Sequence, residues 1–572
     1  MNIGQGLFGG QEKPNAASAW ALYEESERFN IAIDLYDTVR VNENFYVGKQ
    51  WEGVKSNGLP TPQFNFLKRV VGFIVATITT DAVKVTAAPL AATPDTGELL
   101  EPARIVNEEF EAITERNNIP ALLREFTRNA AVDGDGCLYS WWDPDMETGG
   151  KARGGIRTEV IENTRVRFGN PNDRHVQSQP WIIITRQSMV RDAKRRAREN
   201  GMAEWDAIQP DGAEQYMDDA KRTGDKVTEL LLLWRDRDSG EIWAFESTRQ
   251  SAIREPYSTG IRLYPICWLN WDYVQDCYHG QAMITGLIPN QIFVNKIWAA
   301  VMLSNQRGAF PKVIYDKTRI KSWDNRVGAA IGINGGDVNT VARNMDGTSV
   351  SPQIPRILEL AVEMTEKCLG ATSVALGDTK PDNTSAIIAL QRAAATPSEM
   401  TKQNLYQSVE ELYRIYLEFM GSFYGSRPVD LETPEQLRQA FQFAGREAPE
   451  EICMDFDFSV LGQHPMTLKL DVGASSYYSE IAAIQTLDNL LKGGHITALQ
   501  YLERIPDGYI PSRRALINEL KAAQMQAMAQ PMAGGGGGPI LQDIGKPEIP
   551  TGGGFSDLQR KVLQTGTTEG LV

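Results

Sequence analysis

The stretch YHGQAMITGLIPNQIFVNKIWAAVML, residues 278–303, decides the predicted fold of this chain. Its Pro lies where a helix can begin, because the first turn of a helix tolerates Pro and its missing N–H. We therefore expect a helix from near Pro289 to near Arg307, about 28 Å long at roughly 1.5 Å per residue. Apolar side chains recur all round this helix, so it needs packing partners on every side. The residues expected to make this packing are Ile292, Phe293, Ile297, Trp298 and Val301.

The residues after this helix predict a small domain, a returning helix and a polar loop. Residues 309–352 combine Gly and Asn turns with short apolar runs, which indicates a small α/β knob. Pro355 and Gly370 bracket a second helix, because Pro favours the first helical position and Gly follows helix ends. Residues 371–383 are too polar for a core and too few for a domain. A long helical region follows, interrupted at residues 396–399, where Thr-Pro-Ser-Glu matches a capping box.

Length and composition restrict the chain to a few classes of protein. Its 572 residues suffice for about three or four domain-sized units. The net charge of −15 repels polyanions, which argues against a protein that coats nucleic acid. Five cysteines without a CxxC pair indicate reduced thiols in a protein made in the cytosol. The most apolar run, residues 70–78, is about half of what a bilayer span needs and has helical spacing, so we expect no membrane segment.

The other segments predict a mixture of helices and strands. Residues 101–131 have helical spacing with a break near Pro120. Residues 133–136, Asp-Gly-Asp-Gly, predict a tight turn, because Gly supplies the positive φ that such turns need. Residues 155–271 contain β-branched and aromatic runs bounded by turn residues, as strands do. The chain therefore mixes both kinds of element outside the long helices.

Two strings of residues resemble segments of one protein family. Residues 46–51, Tyr-Val-Gly-Lys-Gln-Trp, follow the first predicted helix and resemble the YxGxQW segment of tailed-bacteriophage portal proteins. Residues 278–295 resemble the YGxSxxxxLIPxQxxxN pattern with which portal proteins enter their first stem helix. Gln281 and Ala282 stand where Ser or a small residue is commoner, so the second match is incomplete. The resemblance spans residues 20–470, and the order of its segments carries it.

The resemblance implies a fold and a division of the chain. The class is α+β, and the portal fold consists of a wing, a helical stem, a small α/β clip and a helical crown, repeated in a ring oligomer. The implied parts are a flexible N-terminal arm (1–19), the wing (20–279), the first stem helix (280–308), the clip (309–352), the second stem helix (353–370), the tunnel loop (371–384), a kinked helix with the wing return (385–470), the crown (471–530) and a disordered C-terminal tail (531–572).

The resemblance also implies a function and its partners. Portal subunits form a dodecameric ring at one capsid vertex, through which double-stranded DNA is packaged and ejected. In such a ring, neighbouring copies would supply the partners that the apolar helix needs. The implied partners are further copies of the chain, the terminase large subunit, the major capsid protein and scaffold, and a head–tail adaptor. The implied location is the portal vertex of the virion, after assembly in the host cytoplasm, and neither a cofactor, a metal nor a membrane is implied.

The tunnel loop is the part of the chain that would face the DNA. Contacts that neutralise phosphates produce tight, salt-sensitive binding, so dispersed acidic charge would let a duplex slide. Lys380 would be the first cation to touch a phosphate transiently. By resemblance, the residues nearest the channel are Gly377, Asp378, Lys380, Asp382 and Asn383.

Two other functions stay open on the sequence alone. Asp143, Asp145 and Glu147 alternate in a predicted loop, and alternating carboxylates can chelate a divalent cation, so a metal-dependent DNA-processing enzyme is one alternative. The loop lacks the Gly and the distal Glu of an EF-hand, which favours an acidic hairpin tip. A non-channel head–tail adaptor or minor capsid protein is the other alternative, although adaptors are usually much shorter. The sequence contains neither a GxxxxGK[ST] loop nor a GxSxG elbow, so we expect no enzyme.

Deletion of residues 377–382 tests the channel assignment. We expect the ring to assemble normally, because the loop lies outside the stem helices. We expect DNA packaging to fall, because the loop would contact the moving duplex. A sizing column measures ring formation, and the length of DNA inside purified particles measures packaging. Packaged DNA of normal length in the deletion variant would contradict the assignment.

Overall fold

A computed structural model describes residues 13–56, 58–79, 83–89, 96–147, 153–211, 225–309, 313–324, 326, 330–344, 353–368, 399–432, 451–462, 466–472, 487–493, 496–505, 516–517 and 520. The class is α+β, as predicted. The chain divides into two compact units, Met1–Ser479 and Glu480–Val572. The first unit contains the stretch 278–303 and is the one that bears on function.

Helices and strands both occur along most of the described chain. The helices are α1 (Ala16–Ala32), α2 (Leu35–Val47), α3 (Phe66–Thr79), α4 (Thr96–Arg116), α5 (Ile119–Asp133), α6 (Val190–Glu199), α7 (Ile288–Ala309), α8 (Val338–Val341), α9 (Ile354–Cys368), α10 (Glu399–Phe419) and α11 (Ala498–Arg504). The strands are β1 (Val83–Pro89), β2 (Asp135–Glu147), β3 (Arg153–Ile161), β4 (Val166–Phe168), β5 (Trp181–Met189), β6 (Lys226–Arg235), β7 (Ile242–Ser247), β8 (Ala252–Ser258), β9 (Ile266–Asn270), β10 (Val313–Tyr315), β11 (Ala342–Asn344), β12 (Ser426–Glu432), β13 (Glu451–Asp457) and β14 (Met466–Val472).

Helix α3 shows how the apolar pattern places the core. Its apolar residues at positions 67, 70, 71, 74, 75 and 78 share one face, and all six side chains are buried. This face packs against α5. Burial of each such side chain contributes about 1.5–3 kcal/mol. The most apolar run of the sequence therefore lies in the core of the larger unit.

The junction between α4, α5 and β2 depends on backbone conformations that few residues adopt. Asn118 has a left-handed conformation with φ 49°, and Pro120 follows in the first turn of α5, so the predicted break is confirmed. The predicted turn at residues 133–136 is wrong in part. Helix α5 ends at Asp133, Gly134 follows with φ 102°, and β2 begins at once with Asp135. One glycine is enough to reverse the chain, so the second acidic residue of the string lies in a strand.

Antiparallel sheets form the β part of the larger unit. The five-stranded sheet has the order β4-β5-β6-β7-β8, so each strand lies beside the strand that follows it in the chain. The three-stranded sheet has the order β3-β2-β9, with β2 at its centre. Strand β14 pairs with β1, Val83 opposite Val472, which returns the chain to its N-terminal part. The long meander is thus built from local pairings, whereas the β2–β9 and β1–β14 pairings join distant segments.

The two helices predicted to form a stem, α7 and α9, pack against each other, and the segment predicted as a knob lies between them in sequence. Helix α7 spans 22 residues, or about 33 Å. The Asn290 Nδ2 donates a hydrogen bond to the Thr365 hydroxyl at 3.0 Å, which joins the two helices near the start of α7. Between them β10 pairs with β11, Val313 opposite Asn344, in the segment predicted as an α/β knob. The stretch that decided the prediction therefore forms a helix that is close to its predicted span.

The helix predicted for residues 385–420 is described only from Glu399 onward. Helix α10 ends at Phe419 and continues into a π-helical turn, Met420–Tyr424, which is closed by Gly425 at φ 57°. The predicted capping box at residues 396–399 lies outside the described residues except for Glu399. The tunnel-loop residues 371–384 lie outside them as well.

Replacement of Gly136 by Ala tests the close contact between α5 and β2. An added Cβ would lie 2.6 Å from the Phe126 carbonyl oxygen and 2.8 Å from its ring, so the two elements would have to separate. We expect Gly136→Ala to lower the free energy of unfolding by about 1–3 kcal/mol. Gly72→Ala is the matched control, because its Cβ would meet nothing within 4 Å inside α3 and should be neutral or stabilising. Thermal denaturation of both variants measures the difference, and equal melting temperatures would contradict the prediction.

Candidate functional site at the base of the stem

A chain of buried side-chain amides attaches α7 to the N-terminal part of the molecule. The Gln291 Nε2 donates to the Phe64 carbonyl oxygen at 2.5 Å and to the Asn295 Oδ1 at 3.0 Å. The Asn295 Nδ2 in turn donates to the Gln50 Oε1 at 2.6 Å. All three amide side chains are buried. We call Gln50, Gln291 and Asn295 the amide chain.

Local structure explains why these three residues meet. Gln291 and Asn295 are four residues apart in a helix and therefore lie on the same face. Helix α2 ends at Val47, and Gly48 follows in the left-handed conformation with φ 97°, which redirects the backbone before Gln50. A primary amide both donates and accepts, so such groups can be linked in series.

The amide chain is not fully satisfied within the described residues. The Gln50 Nε2 and the Gln291 Oε1 are buried and have no hydrogen-bond partner there. An unpaired buried polar group costs roughly 1–3 kcal/mol, so apolar packing nearby must compensate for it. Part of that packing is the contact between Phe64 and Trp298, whose ring centroids are 4.9 Å apart. Sequence reasoning expected Trp298 to contact a neighbouring copy, which stays a prediction; within the chain its ring contacts Phe64 of the N-terminal part.

A second buried polar centre lies where the chain approaches α7. The Asp135 carboxylate is completely buried and accepts hydrogen bonds from the Gly280 N–H at 2.7 Å and from the Asn270 Nδ2 at 2.8 Å. The Asn163 Nδ2 donates to its other oxygen at 3.2 Å. The His279 Nδ1 lies 2.6 Å from that same oxygen. Four donors thus converge on one carboxylate, as a buried charge requires.

The arrangement around Asp135 holds strands together and is enclosed by aromatic rings. The His279 ring lies 3.9 Å from the Tyr278 ring and 5.7 Å from the Trp268 ring, measured between centroids. Because a carboxylate oxygen accepts, the His279 Nδ1 carries the proton, and its Nε2 is buried without a partner among the described residues. The pair resembles the base and orienting acid of a hydrolytic site, but 3% exposure leaves the imidazole no path to a substrate. Its effect is to fix the loop that leads into α7.

A third polar group lies between α2 and α5. Arg128 forms ion pairs with Glu43 and, at 3.8 Å, with Asp133. Burial of the carboxyl, and secondly the charge of Glu43, raise the pKa of Asp133 to about 8. The neighbouring Asn42 Nδ2 donates to the Val132 carbonyl oxygen and to the Thr285 hydroxyl, both at 2.9 Å. The residues just before α7 are therefore tied to both helices.

The predicted site residues differ in where they lie. Gly377, Asp378, Lys380, Asp382 and Asn383 lie outside the described residues. Along α7, Ile292, Ile297, Trp298 and Val301 are half-buried and Phe293 is 46% exposed. The assignment of these five to packing between copies stays a prediction.

The acidic string at residues 143–147 is not a loop. Asp143, Asp145 and Glu147 belong to β2, whose register with β3 is irregular between Asp143 and Glu147. Arg157 of β3 forms an ion pair with Asp143. Within the described part of the chain, no three His, Cys, Asp or Glu side chains are grouped as metal ligands would be.

The residues of the amide chain belong to the two strings that resemble portal proteins, but sequence reasoning gave them no task. One feature of the sequence could have predicted this contact: Gln291 and Asn295 are polar residues within an otherwise apolar helix, and buried polar residues need hydrogen-bond partners. Asp135 and His279 were missed entirely, because Asp135 was assigned to a turn. The signal there was the Gly on each side of Asp135, which permits close backbone approach.

Comparison of the chain with protein-family models and with curated protein sequences found no match. None of the helices in the described ranges combines the length and apolar content needed to cross a lipid bilayer.

Replacement of Asp133 by Asn tests the raised pKa through the pH dependence of stability. The folded-state pKa lies above the unfolded value of 3.8, so the folded protein binds the proton more tightly. Stability from this group is therefore fully present below about pH 4 and is lost as pH rises towards 8. We expect Asp133→Asn to gain stability relative to the unmodified chain across that window, by at most about 1.4 kcal/mol per pH unit.

Melting temperatures measured from pH 4 to pH 9 provide the readout for this prediction. Asp37→Asn, at an exposed Asp on α2, is the control and measures what loss of an exposed carboxyl does to the melting temperature. A constant difference for Asp133→Asn would show that the Asp133 carboxyl does not titrate in this window.

Proposed function

We propose that this chain is the subunit of a portal ring, the channel through which double-stranded DNA enters and leaves a phage capsid at one vertex. The observation that supports this proposal most is an apolar stripe on the outer face of the second stem helix. Ile357, Leu360 and Met364 lie at spacings of three and four residues, so they share one face of α9. They are 43%, 49% and 49% exposed.

Another face of α9 is already used within the chain. Leu358 and Thr365 are buried, and Thr365 accepts the hydrogen bond from Asn290 of α7. Helix α9 is therefore apolar on two faces, of which its own chain covers one. A contiguous exposed apolar patch on a protein marks an interaction surface. Further copies of the chain are the simplest molecules to cover this patch, because in a cyclic ring each copy contacts a neighbour on either side.

The amide chain gives the proposal a second support. The two strings that carry the family resemblance are distant in sequence, yet Gln50 of the first bonds with Asn295 of the second. Strings that matched by chance would have no reason to meet in a buried hydrogen-bonded cluster. Their contact gives the resemblance a physical basis, namely that both segments anchor the stem.

The proposal includes the channel and its partners. The net charge of −15 would keep DNA from binding tightly to the channel wall, and the tunnel loop with Lys380 would make the transient contacts. The knob between the stem helices presents Ile314 at 61% exposure, a surface on which a head–tail adaptor would dock. The terminase large subunit, the major capsid protein and scaffold would be further partners, and packaging energy would come from the terminase rather than from this chain.

The alternative of a metal-dependent DNA-processing enzyme has weaker support. It required three carboxylates presented together in a loop. Asp143 is paired with Arg157, and the three residues follow the path of a strand. Cleavage of plasmid DNA by the purified protein with Mg²⁺, abolished by Asp145→Ala, would favour that alternative over the portal.

Replacement of Leu360 by Asp tests the stripe. A charge at the centre of an apolar contact between copies would have to be buried without a partner, so we expect the ring population to fall at least about tenfold. Sizing chromatography and negative-stain images viewed down the ring axis measure it. Leu360 is a more specific test of contact between copies than Trp298, because replacing Trp298 would also remove its contact with Phe64 of the same chain.

Met189→Asp is the matched control for this experiment. Met189 is 46% exposed, close to Leu360 in exposure, and lies at the end of β5 far along the chain from the stem. We expect it to leave rings intact. Rings of normal abundance from Leu360→Asp would contradict the stem interface, and a monomer without a central hole from the unmodified chain would contradict the proposed function.

A further inference from the structure

A cavity of about 540 Å³ lies between the five-stranded sheet and strand β2. Its size falls within the range of roughly 300–1,000 Å³ that small-molecule sites occupy. Neither the amide chain nor the Asp135 centre contributes to its lining. The proposed portal function assigns it no task.

Part of the cavity lining is aromatic. Tyr139 and Trp141, two residues apart in β2, stack with ring centroids 5.5 Å apart and an angle of 17° between their planes. Trp142, Phe419 and Phe423 also line the cavity. Aromatic rings attract another ring in an offset-stacked or edge-to-face arrangement. The aromatic part of the lining therefore suits a planar apolar group.

The lining of the cavity also contains charged groups. Arg196 bridges Glu229 and Glu246, the second at 3.8 Å, so these three groups satisfy one another. Arg186 pairs at 3.3 Å with Glu159. With Glu159 counted, three guanidinium groups, Arg186, Arg196 and Arg254, face three carboxylates, Glu159, Glu229 and Glu246, and Arg254 takes part in none of these ion pairs.

Arg254 is the lining guanidinium that lies outside these ion pairs. Its guanidinium carbon lies 3.5 Å from the centroid of the Tyr257 ring, so its face is covered. Among the described residues, no carboxylate lies within 4.0 Å of it. A guanidinium that stacks through its face still directs N–H groups outward from its edge, and these match the two oxygens of a carboxylate.

We propose that this cavity binds an aromatic group that carries a single carboxylate, as at the free carboxyl terminus of a peptide that ends in Phe. The ring lies against Tyr139 and Trp141, and the carboxylate takes the edge of Arg254. A phosphate group would bring a second negative charge next to Glu229 and Glu246, which disfavours it. The same chemistry occurs in a free aromatic acid, and the experiment separates the two sources.

Saturation-transfer difference NMR on the full-length chain tests the proposal with three probes at millimolar concentration. They are N-acetyl-phenylalanine, its carboxamide, and the peptide Gly-Ser-Ala-Phe with a free carboxyl group. We expect the acid to bind about fivefold more tightly than the amide, a modest ratio because Arg254 is exposed to solvent. Tighter binding of the peptide than of the acid assigns the site to a protein terminus, and equal binding assigns it to an aromatic acid.

Three variants locate the binding. Arg254→Gln should remove the difference between acid and amide, and Trp141→Ala should weaken both about tenfold by removing the stacking surface. Arg237→Gln, an exposed Arg outside the cavity lining, should change nothing. Equal binding of acid and amide to the unmodified chain, or full retention of the difference in Arg254→Gln, would overturn the proposal, as would the absence of signal from all three probes.

Discussion

The hydrogen bond between Asn295 and Gln50 is the constraint on which the placement of α7 depends. Apolar contacts are non-directional, so the half-buried side chains of α7 could slide or rotate against the body at little cost. A buried amide cannot do so, because any shift leaves its donors unpaired at roughly 1–3 kcal/mol each. The bond joins residues 245 positions apart, and Gln291 extends it to the Phe64 carbonyl oxygen. Polar groups therefore set the direction of α7, whereas burial of apolar side chains supplies the free energy that holds it against the rest of the chain.

The Asp135 centre performs the same task one step earlier in the chain. A buried carboxylate demands several donors, and these come from the turn after β3, from β9 and from the loop that enters α7. The Gly residues at 134 and 280 approach each other closely, since a Cβ on Gly134 would lie 2.6 Å from the Gly280 carbonyl oxygen. The start of β2, the C-terminal end of α5 and the segment that enters α7 are thus held together. Helix α7 therefore follows a segment that is anchored by hydrogen bonds to the buried Asp135 carboxylate.

Local rules predicted the helices well and the polar contacts not at all. Pro289 and the all-round apolar pattern gave α7 within two residues, because helix starts and apolar spacing are properties of short segments. Asn118 and Pro120 gave the break between α4 and α5 for the same reason. The bond of Gln50 with Asn295 depends on tertiary packing, and no rule of spacing connects those positions. Asp135 was assigned to a turn because two glycines flank it in the sequence. In the structure Gly134 alone reverses the chain, and the sequence does not show how many of the glycines the turn uses.

The exposed apolar stripe of α9 connects these hydrogen bonds within one copy to the proposed association between copies. If α7 and α9 were free to move, α9 could pack its exposed apolar stripe against the rest of its own chain. The amide chain and the Asn290–Thr365 hydrogen bond prevent this, because they hold α7 and α9 in one orientation with Leu358 inward and Leu360 outward. In the proposed ring, neighbouring copies would then cover the stripe. Buried polar bonds within one copy are thus what would make association between copies geometrically specific, since they present the same apolar face at the same angle on every copy.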